Sequence, residues 1–251
     1  MMSRRGEAEP ALDLPPGYRL ISLREGGDAF AHGLAIAAEA GAGTLVQVGR
    51  YDLVEVAVVL EPDEPLLSAR RAIYAGMNAV GDAISAHCPP EHEVSFAWPD
   101  AILFDQGLLG GVRLGWPQAC AEDDVPAWLV LGLMLRAADL AHIETGTVPG
   151  AVSLVAQGFE LVETDAIVAS FARQLMAGFD RWNELGFDPV AADYFARVPQ
   201  RKAGERRQLD HNGDLLVSAP LERGPPARAC LVEALARAAW YDPALRGPKL
   251  G

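Results

Sequence analysis

Residues Trp98–Pro117, WPDAILFDQGLLGGVRLGWP, decide the fold. An apolar run at Ala101–Phe104 leads into Asp105-Gln106-Gly107, and a second apolar run from Leu108 carries the adjacent glycines Gly110 and Gly111. Turn-forming residues between two apolar runs predict two buried strands around a tight turn. A glycine inside a strand marks a bulge or a place where something approaches the backbone closely.

Strand candidates continue on both sides of this hairpin. "EVSFAW" (93–98) precedes it, and "WLVLGLMLR" (128–136) follows it, apolar at both alternations and so expected to be covered on both faces. Upstream, "YRLISL" (18–23), "TLVQVGR" (44–50) and "LVEVAVVL" (53–60) read as strands, the last two joined only by Tyr51 and Asp52.

Helical spacing marks the intervening segments. Asp28 should cap a helix with Phe30, Leu34, Ala37 and Ala38 on one face, closed by the glycines of "EAGAGT". Ser68 should cap a second, carrying Ile73, Met77, Val80 and Ile84 and ended by the prolines of "HCPPEHE". Thr164-Asp165 opens a long helix striped by Ile167, Val168, Phe171, Leu175, Phe179 and Trp182, and "VAADYFARV" (190–198) is a short one. Beyond them, "RRQLDHNGDLLVS" (206–218) predicts a hairpin about Asn212-Gly213, and "ARACLVEALARAAW" (227–240) a final helix. The expected class is α+β: a largely antiparallel or mixed sheet with helices packed on one side. Residues 1–17 form a frayed tail in this scheme, 18–199 a main domain, and 200–251 a small C-terminal hairpin–helix domain.

Composition narrows the partners. Half of the 251 residues are hydrophobic and 7% are aromatic, enough for a sizeable core. With 21 Lys+Arg against 34 Asp+Glu the formal charge is −13, a surface that repels phosphate backbones and anionic lipid. Nucleic acid and membrane are therefore not expected partners, and the local basic run Arg201, Lys202, Arg206, Arg207 reads as a solvated loop. Cys88, Cys120 and Cys230 lack metal-ligand spacing and read as reduced thiols, which points to the cytoplasm. The five histidines include no pair three or four residues apart, so no metal site is expected.

The quoted stretch resembles biotin protein ligases and, more loosely, lipoate protein ligases. There a strand–turn–strand reads W-P-N-D, apolar residues, a turn, then K-L-[AG]-G-[IV]. Here Trp98-Pro99-Asp100-Ala101 and Leu108-Leu109-Gly110-Gly111-Val112 occupy those places without a gap. Gln47-Val48-Gly49-Arg50 is similar to the start of the ligases' phosphate-binding loop, and the strand around Gly132 to their apolar strand with a central glycine. Residues 151–187 resemble their S/T-L-x-x-x-G turn and long helix, and "QLDHNGDLLV" a hairpin of their small C-terminal domain. These motifs run in order from Tyr18 to Val217, and the resemblance implies that fold.

In that family ATP activates a cofactor carboxylate, and a lysine on an acceptor domain then takes the acyl group. Both halves need positive charge where anionic oxygen accumulates, supplied by an Arg/Gly-rich loop and the motif lysine. In this chain Tyr51-Asp52 leads directly from Arg50 into the next strand, and the lysine's place is taken by Leu108. The motif carboxylate has moved by one residue to Asp100, which in a strand would turn it to the opposite face. ATP-dependent adenylation is therefore not expected.

The resemblance leaves Gln47, Gly49, Arg50, Trp98, Asp100, Leu108, Gly110, Gly111 and Gly132 as candidate ligand-binding residues, with none assigned to catalysis. Each has a structural alternative: Arg50 could pair with Asp52 or Glu55, Trp98 could be core, and the glycines could serve packing. Three functions stay open. One is a rearranged ligase or acyltransferase acting on biotin, lipoate or a related acyl group. Another is a binding module for such a carboxylate, or for a biotinyl/lipoyl-type acceptor protein. The third is a scaffold, dimerising through an exposed sheet edge.

Overall fold

The computed structural model describes residues 12–88, 91–139, 150–160, 163–200, 202–219 and 224–250. Strands β1 (Arg19–Leu23), β2 (Thr44–Val48), β3 (Leu53–Leu60), β4 (Val94–Ala97), β5 (Ala101–Phe104), β6 (Gly107–Gly115) and β7 (Leu129–Arg136) form one sheet. Its order is β1-β2-β3-β7-β6-β5-β4, parallel only between β1 and β2. The quoted stretch is the β5–β6 hairpin, turning through Asp105 and Gln106, both at positive φ. The mixed sheet of an α+β protein is as expected.

Period-two alternation sorts β3 and β7 between two cores. Val54, Val56 and Val58 of β3, with Leu129, Leu131, Leu133 and Leu135 of β7, enter the larger core. Ala57, Val59 and Val130 point the other way. All eight residues of β7 are buried, as the unbroken apolar run requires.

On the larger core lie α3 (Ala72–Ser85), α4 (Glu163–Leu185) and α5 (Asp188–Ala196). Nearly every residue of α3 is buried because the sheet covers one side and α4 and α5 the other. Gly76 admits Leu131 of β7, where a β-carbon would meet the leucine at 2.6 Å. Helix α1 (Ala29–Ala40), capped as expected by Asp28 accepting from Ala31 N, packs against the opposite face through Phe30, Leu34 and Ala37. The sheet is thus covered by helices on both faces, with the larger layer on one side.

Three local expectations are corrected. Ser68 does not cap a helix: it lies within the short α2 (Leu66–Ala69), its hydroxyl donates to the Pro65 carbonyl, and α3 begins after a break at Arg70-Arg71. The segment 227–240 is not one helix. Ala227–Ala229 is β10, paired with β9 (Leu215–Ser218), which pairs in turn with β8 (Arg206–Leu209). Only Leu231–Arg237 is helical (α6), ending where Ala238 adopts a left-handed conformation. Finally, Leu12 and Leu14 rest against the core, so the stretch from 12 to 17 is not the frayed tail expected there; residues 1–11 lie outside the described part. After α6, the two-residue strands β11 (Tyr241–Asp242) and β12 (Gly247–Pro248) bring the chain back onto the main sheet.

Candidate ligand site

The β5–β6 register determines what gathers at the glycines. Ile102 pairs with Gly110 but Leu103 with Leu108, so Leu109 is an extra residue and the strand bulges. The bulge resets the alternation: Leu108 and Gly111, three apart, both face the side away from α3, while Leu109 and Val112 enter the larger core. A β-carbon at Gly110 would lie 2.0 Å from the Met134 carbonyl oxygen, so this glycine is required by the close approach of β7.

Above Gly111 lies the indole of Trp240. A β-carbon at 111 would be 2.3 Å from the ring, and the tryptophan is 2% exposed. Leu53 and Met134 form its seat with Ala101, Leu108 and Tyr241. Burying a side chain of that size contributes on the order of 4 kcal/mol, several times a typical net hydrogen bond. Leu108 therefore has an evident structural role: where the motif lysine would stand, an apolar side chain walls the seat of an indole.

Asp100 lies on the N–H side of the same ring, 3% exposed. It sits in the turn before β5 rather than in the strand, so the one-residue shift does not turn it away; it reaches the face used by Ala101 and Leu108. Burial pushes its carboxyl up to about 7. The Trp240 N–H offsets part of this without the geometry of a full hydrogen bond, leaving Asp100 Oδ2 and Trp240 Nε1 each without a well-formed partner.

Arg50 takes the structural alternative. Its Nε and Nη2 clasp both oxygens of Asp52 at 2.9 and 2.6 Å, and Nη1 is 3.7 Å from Glu55. Burial alone would raise the Asp52 carboxyl, but the Arg50 hydrogen bonds outweigh it and hold it below the usual range. Burial raises Glu55, against the donation of Ala29 N to it at the start of α1. Arg50 therefore presents a guanidinium already neutralised by two buried acids.

Other candidates scatter. Gln47 projects to the opposite side of the sheet and donates to Asp165 of α4. Gly49 closes the sheet edge by donating to Leu23 O. Trp98 packs on the larger core and donates to the Tyr74 hydroxyl, which donates to Gly213 O in the β8–β9 turn. Gly132 makes room for Phe30, 2.6 Å from where a β-carbon would be. Asp100, Leu108 and Gly111 are thus brought together at one spot, with Gly110 shaping it and Arg50 at its margin.

Sequence reasoning missed the rest of that spot. Arg136, at the end of β7 and 3% exposed, donates through Nη2 to Pro248 O at 2.5 Å, while its Nε has no partner. Arg113 is held between the rings of Phe30 and Tyr241, 4.2 and 4.9 Å from their centroids. Arg50 Nη1 reaches Arg246 O at 3.5 Å, and Arg246 donates to Gly27 O. All of these contacts except that of Arg113 with Phe30 involve the C-terminal segment 240–248. Only the Asp242-Pro243 turn marked it in the sequence, and that says nothing of where it docks.

A separate cavity of about 690 Å³ opens between the end of β3, α2 and α4, walled by Tyr18, Leu60, Met176, Phe179 and Trp182. None of the nine candidate residues lines it. Among the described residues no group of His, Cys, Asp and Glu could hold a metal, and no helix is long and apolar enough to cross a membrane. The three cysteines are unpaired.

Sheet order, bulged glycine hairpin and long helix together define a ligase-type α+β domain. The model of the biotin/lipoate A/B protein ligase family matches residues 14–196, and the chain belongs to that family. A biotin–[acetyl-CoA-carboxylase] ligase of Paracoccus denitrificans is 24% identical over 184 residues, 66% of this chain and 74% of that one. Among solved structures, a biotin protein ligase-like protein of unknown function from Silicibacter sp. aligns with TM-score 0.75 at 22% identity, covering 89% of this chain and 98% of that one. A point mutant of Aquifex aeolicus biotin protein ligase, in complex with biotin, aligns with TM-score 0.61 at 14% identity, covering 86% and 96%. At these identities the structural likeness is one of fold.

Proposed function

We propose that this chain is a binding module of the ligase family, holding a biotin- or lipoate-type carboxylate or an acyl group without activating it through ATP. The face built by Asp100, Leu108 and Gly111 is the seat. One observation carries the reading: the two cations expected of a ligase at this place are absent or spent, because Leu108 replaces one and Asp52 and Glu55 neutralise Arg50. Without them, and without the rest of the phosphate loop, charge developing on a phosphate during activation has no preorganised partner. In this scheme residues 18–199 form the ligase-like domain and 200–251 a small C-terminal domain, in a cytoplasmic protein that does not bind nucleic acid. The ligand reaches it free or carried on a biotinyl/lipoyl-type acceptor protein.

The test is a melting series with biotin, lipoate, octanoate and their adenylates, each with and without ATP, beside an assay of pyrophosphate release. A carboxylate or adenylate should raise the melting temperature, by about 3 kcal/mol of stabilisation at a hundredfold excess over Kd, with ATP adding nothing. Pyrophosphate release above background would refute the reading. A second reading, a scaffold that keeps only the fold and dimerises through its sheet edge, draws support from the indole already seated on Gly111; it requires that none of these compounds moves the melting temperature.

A further inference from the structure

The C-terminal segment touches the ligand face at two chemically different points. At one, a flat ring carrying an N–H lies on Gly111 with that N–H turned toward Asp100. At the other, the carbonyl oxygen of Pro248 accepts from Arg136, whose guanidinium is buried at the end of β7 and keeps Nε unpaired. Met134 and Arg136 alternate onto the same face of β7, and Gly111 pairs with Met134 across β6, so ring seat and guanidinium belong to one surface. A ring at one end and an acceptor oxygen at the other is the outline of a cyclic cofactor bearing a carboxylate.

Resting on the function proposed above, we propose that Arg136 is the carboxylate-binding residue of this site, and that Trp240–Pro248 is a built-in stand-in for the ligand which must leave before a ligand enters. Arg136 lies in the field of Asp139 and Asp52, but its Nε is left without a hydrogen-bond acceptor, so it offers on β7 a buried donor and charge that Leu108 cannot supply on β6. A peptide carbonyl is a weaker acceptor for a guanidinium than a carboxylate is, so the exchange favours a carboxylate ligand at that end. Arg113, freed from Tyr241, widens the basic margin of the same face. Segment and ligand are mutually exclusive, and occupancy by the segment lowers the apparent ligand affinity by the fraction of molecules left open.

Three measurements test this. A chain ending at Ala239 is titrated with a synthetic peptide of residues 239–251, and the peptide should bind it but not the whole chain. Replacing Arg136 by Gln should weaken the peptide at least about tenfold, the effect of removing one charged hydrogen-bonding partner. Biotin, lipoate and octanoate are titrated into both chains by calorimetry; whichever binds should bind the shortened chain at least about tenfold more tightly, as expected if the segment is docked nine-tenths of the time or more. Its primary amide should lose that affinity, and Arg136→Gln should abolish the difference between acid and amide. In the unaltered chain, hydrogen exchange of the Tyr241 and Lys249 amides, bonded to Ala238 O and Trp240 O, should accelerate when the probe binds.

If shortening unfolds the protein, Trp240→Ala in the full chain and the exchange measurement decide the matter. Equal affinity of both chains for a probe, or binding to the whole chain with no acceleration at Tyr241 and Lys249, overturns the proposal. Peptide binding that depends on Arg136, with no carboxylate bound by the shortened chain, upholds the stand-in and rejects the ligand class instead.

Discussion

Trp240 and Gly111 are in such close contact that the smallest side chain at 111 would put a carbon 2.3 Å from the indole. A glycine that the sequence marks as a place of close approach is met by a tryptophan from the far end of the chain.

Gly111→Ala should therefore dislodge Trp240. The expected cost is about 2 kcal/mol from overpacking, read as a lower urea midpoint and a red-shifted tryptophan emission. The same substitution in a chain ending at Ala239 should cost far less. Equal destabilisation in both chains would place the strain in the sheet rather than under the ring.

Asp100 predicts a pH dependence. Its folded pKa, about 7, lies above the ordinary 3.8, so below pH 4 the carboxyl is neutral in both states and has no effect. As pH rises from about 4 to about 7 only the unfolded state ionises, and stability falls by on the order of 4 kcal/mol before levelling off. Asp100→Asn should flatten this part of the profile and leave the protein more stable at neutral pH. Denaturant melts of both forms at pH 4, 5.5 and 7 would show it; parallel profiles would mean that Asp100 is hydrated.

Arg50→Ala removes the partner of a carboxylate that is 5% exposed. Leaving the buried Asp52 carboxylate without its side-chain partner, and Glu55 with only the Ala29 N–H, should cost on the order of 3 kcal/mol at neutral pH, less in acid where both can be protonated. If Arg50 chiefly binds ligand, the variant should instead lose affinity at unchanged stability.

Leu108→Lys restores the motif residue without restoring its surroundings. The new ammonium would enter the wall of the Trp240 seat, and no loop stands ready to wrap a phosphate. Pyrophosphate release should stay at background, and robust ATP-dependent turnover would show that the missing loop is dispensable.

Much of the architecture was legible because burial imposes a period. The stripe from Ile167 to Trp182 gave α4, the doubly apolar run gave β7, and the turn Asp105-Gln106-Gly107 gave the β5–β6 hairpin. Where tertiary contacts override local preference, the sequence was silent. The segment 227–240 has helical periodicity throughout, yet Arg228 is drawn to Asp210 and Asp214 and the first three residues join a sheet. The face chosen by α1 depends on how its connections cross the sheet, which hydrophobic spacing does not encode. At the site, Leu108 and Gly111 were flagged by the motif and do lie together, but the bulge that aligns them and the tryptophan that covers them are long-range facts. Arg136 looked like the polar end of a strand; only the fold shows it buried beside Pro248.

The link from Gly49 to Asp52 also limits what protein engineering could do here. The Asp52 carbonyl receives the amides of Ala137 and Ala138 while its carboxylate grips Arg50, so four residues fasten the end of β7 to the start of β3. Any graft long enough to enclose a triphosphate would have to part Arg50 from Asp52 and undo that fastening. Turning this chain into an ATP-using ligase would mean designing a new sheet corner along with the loop.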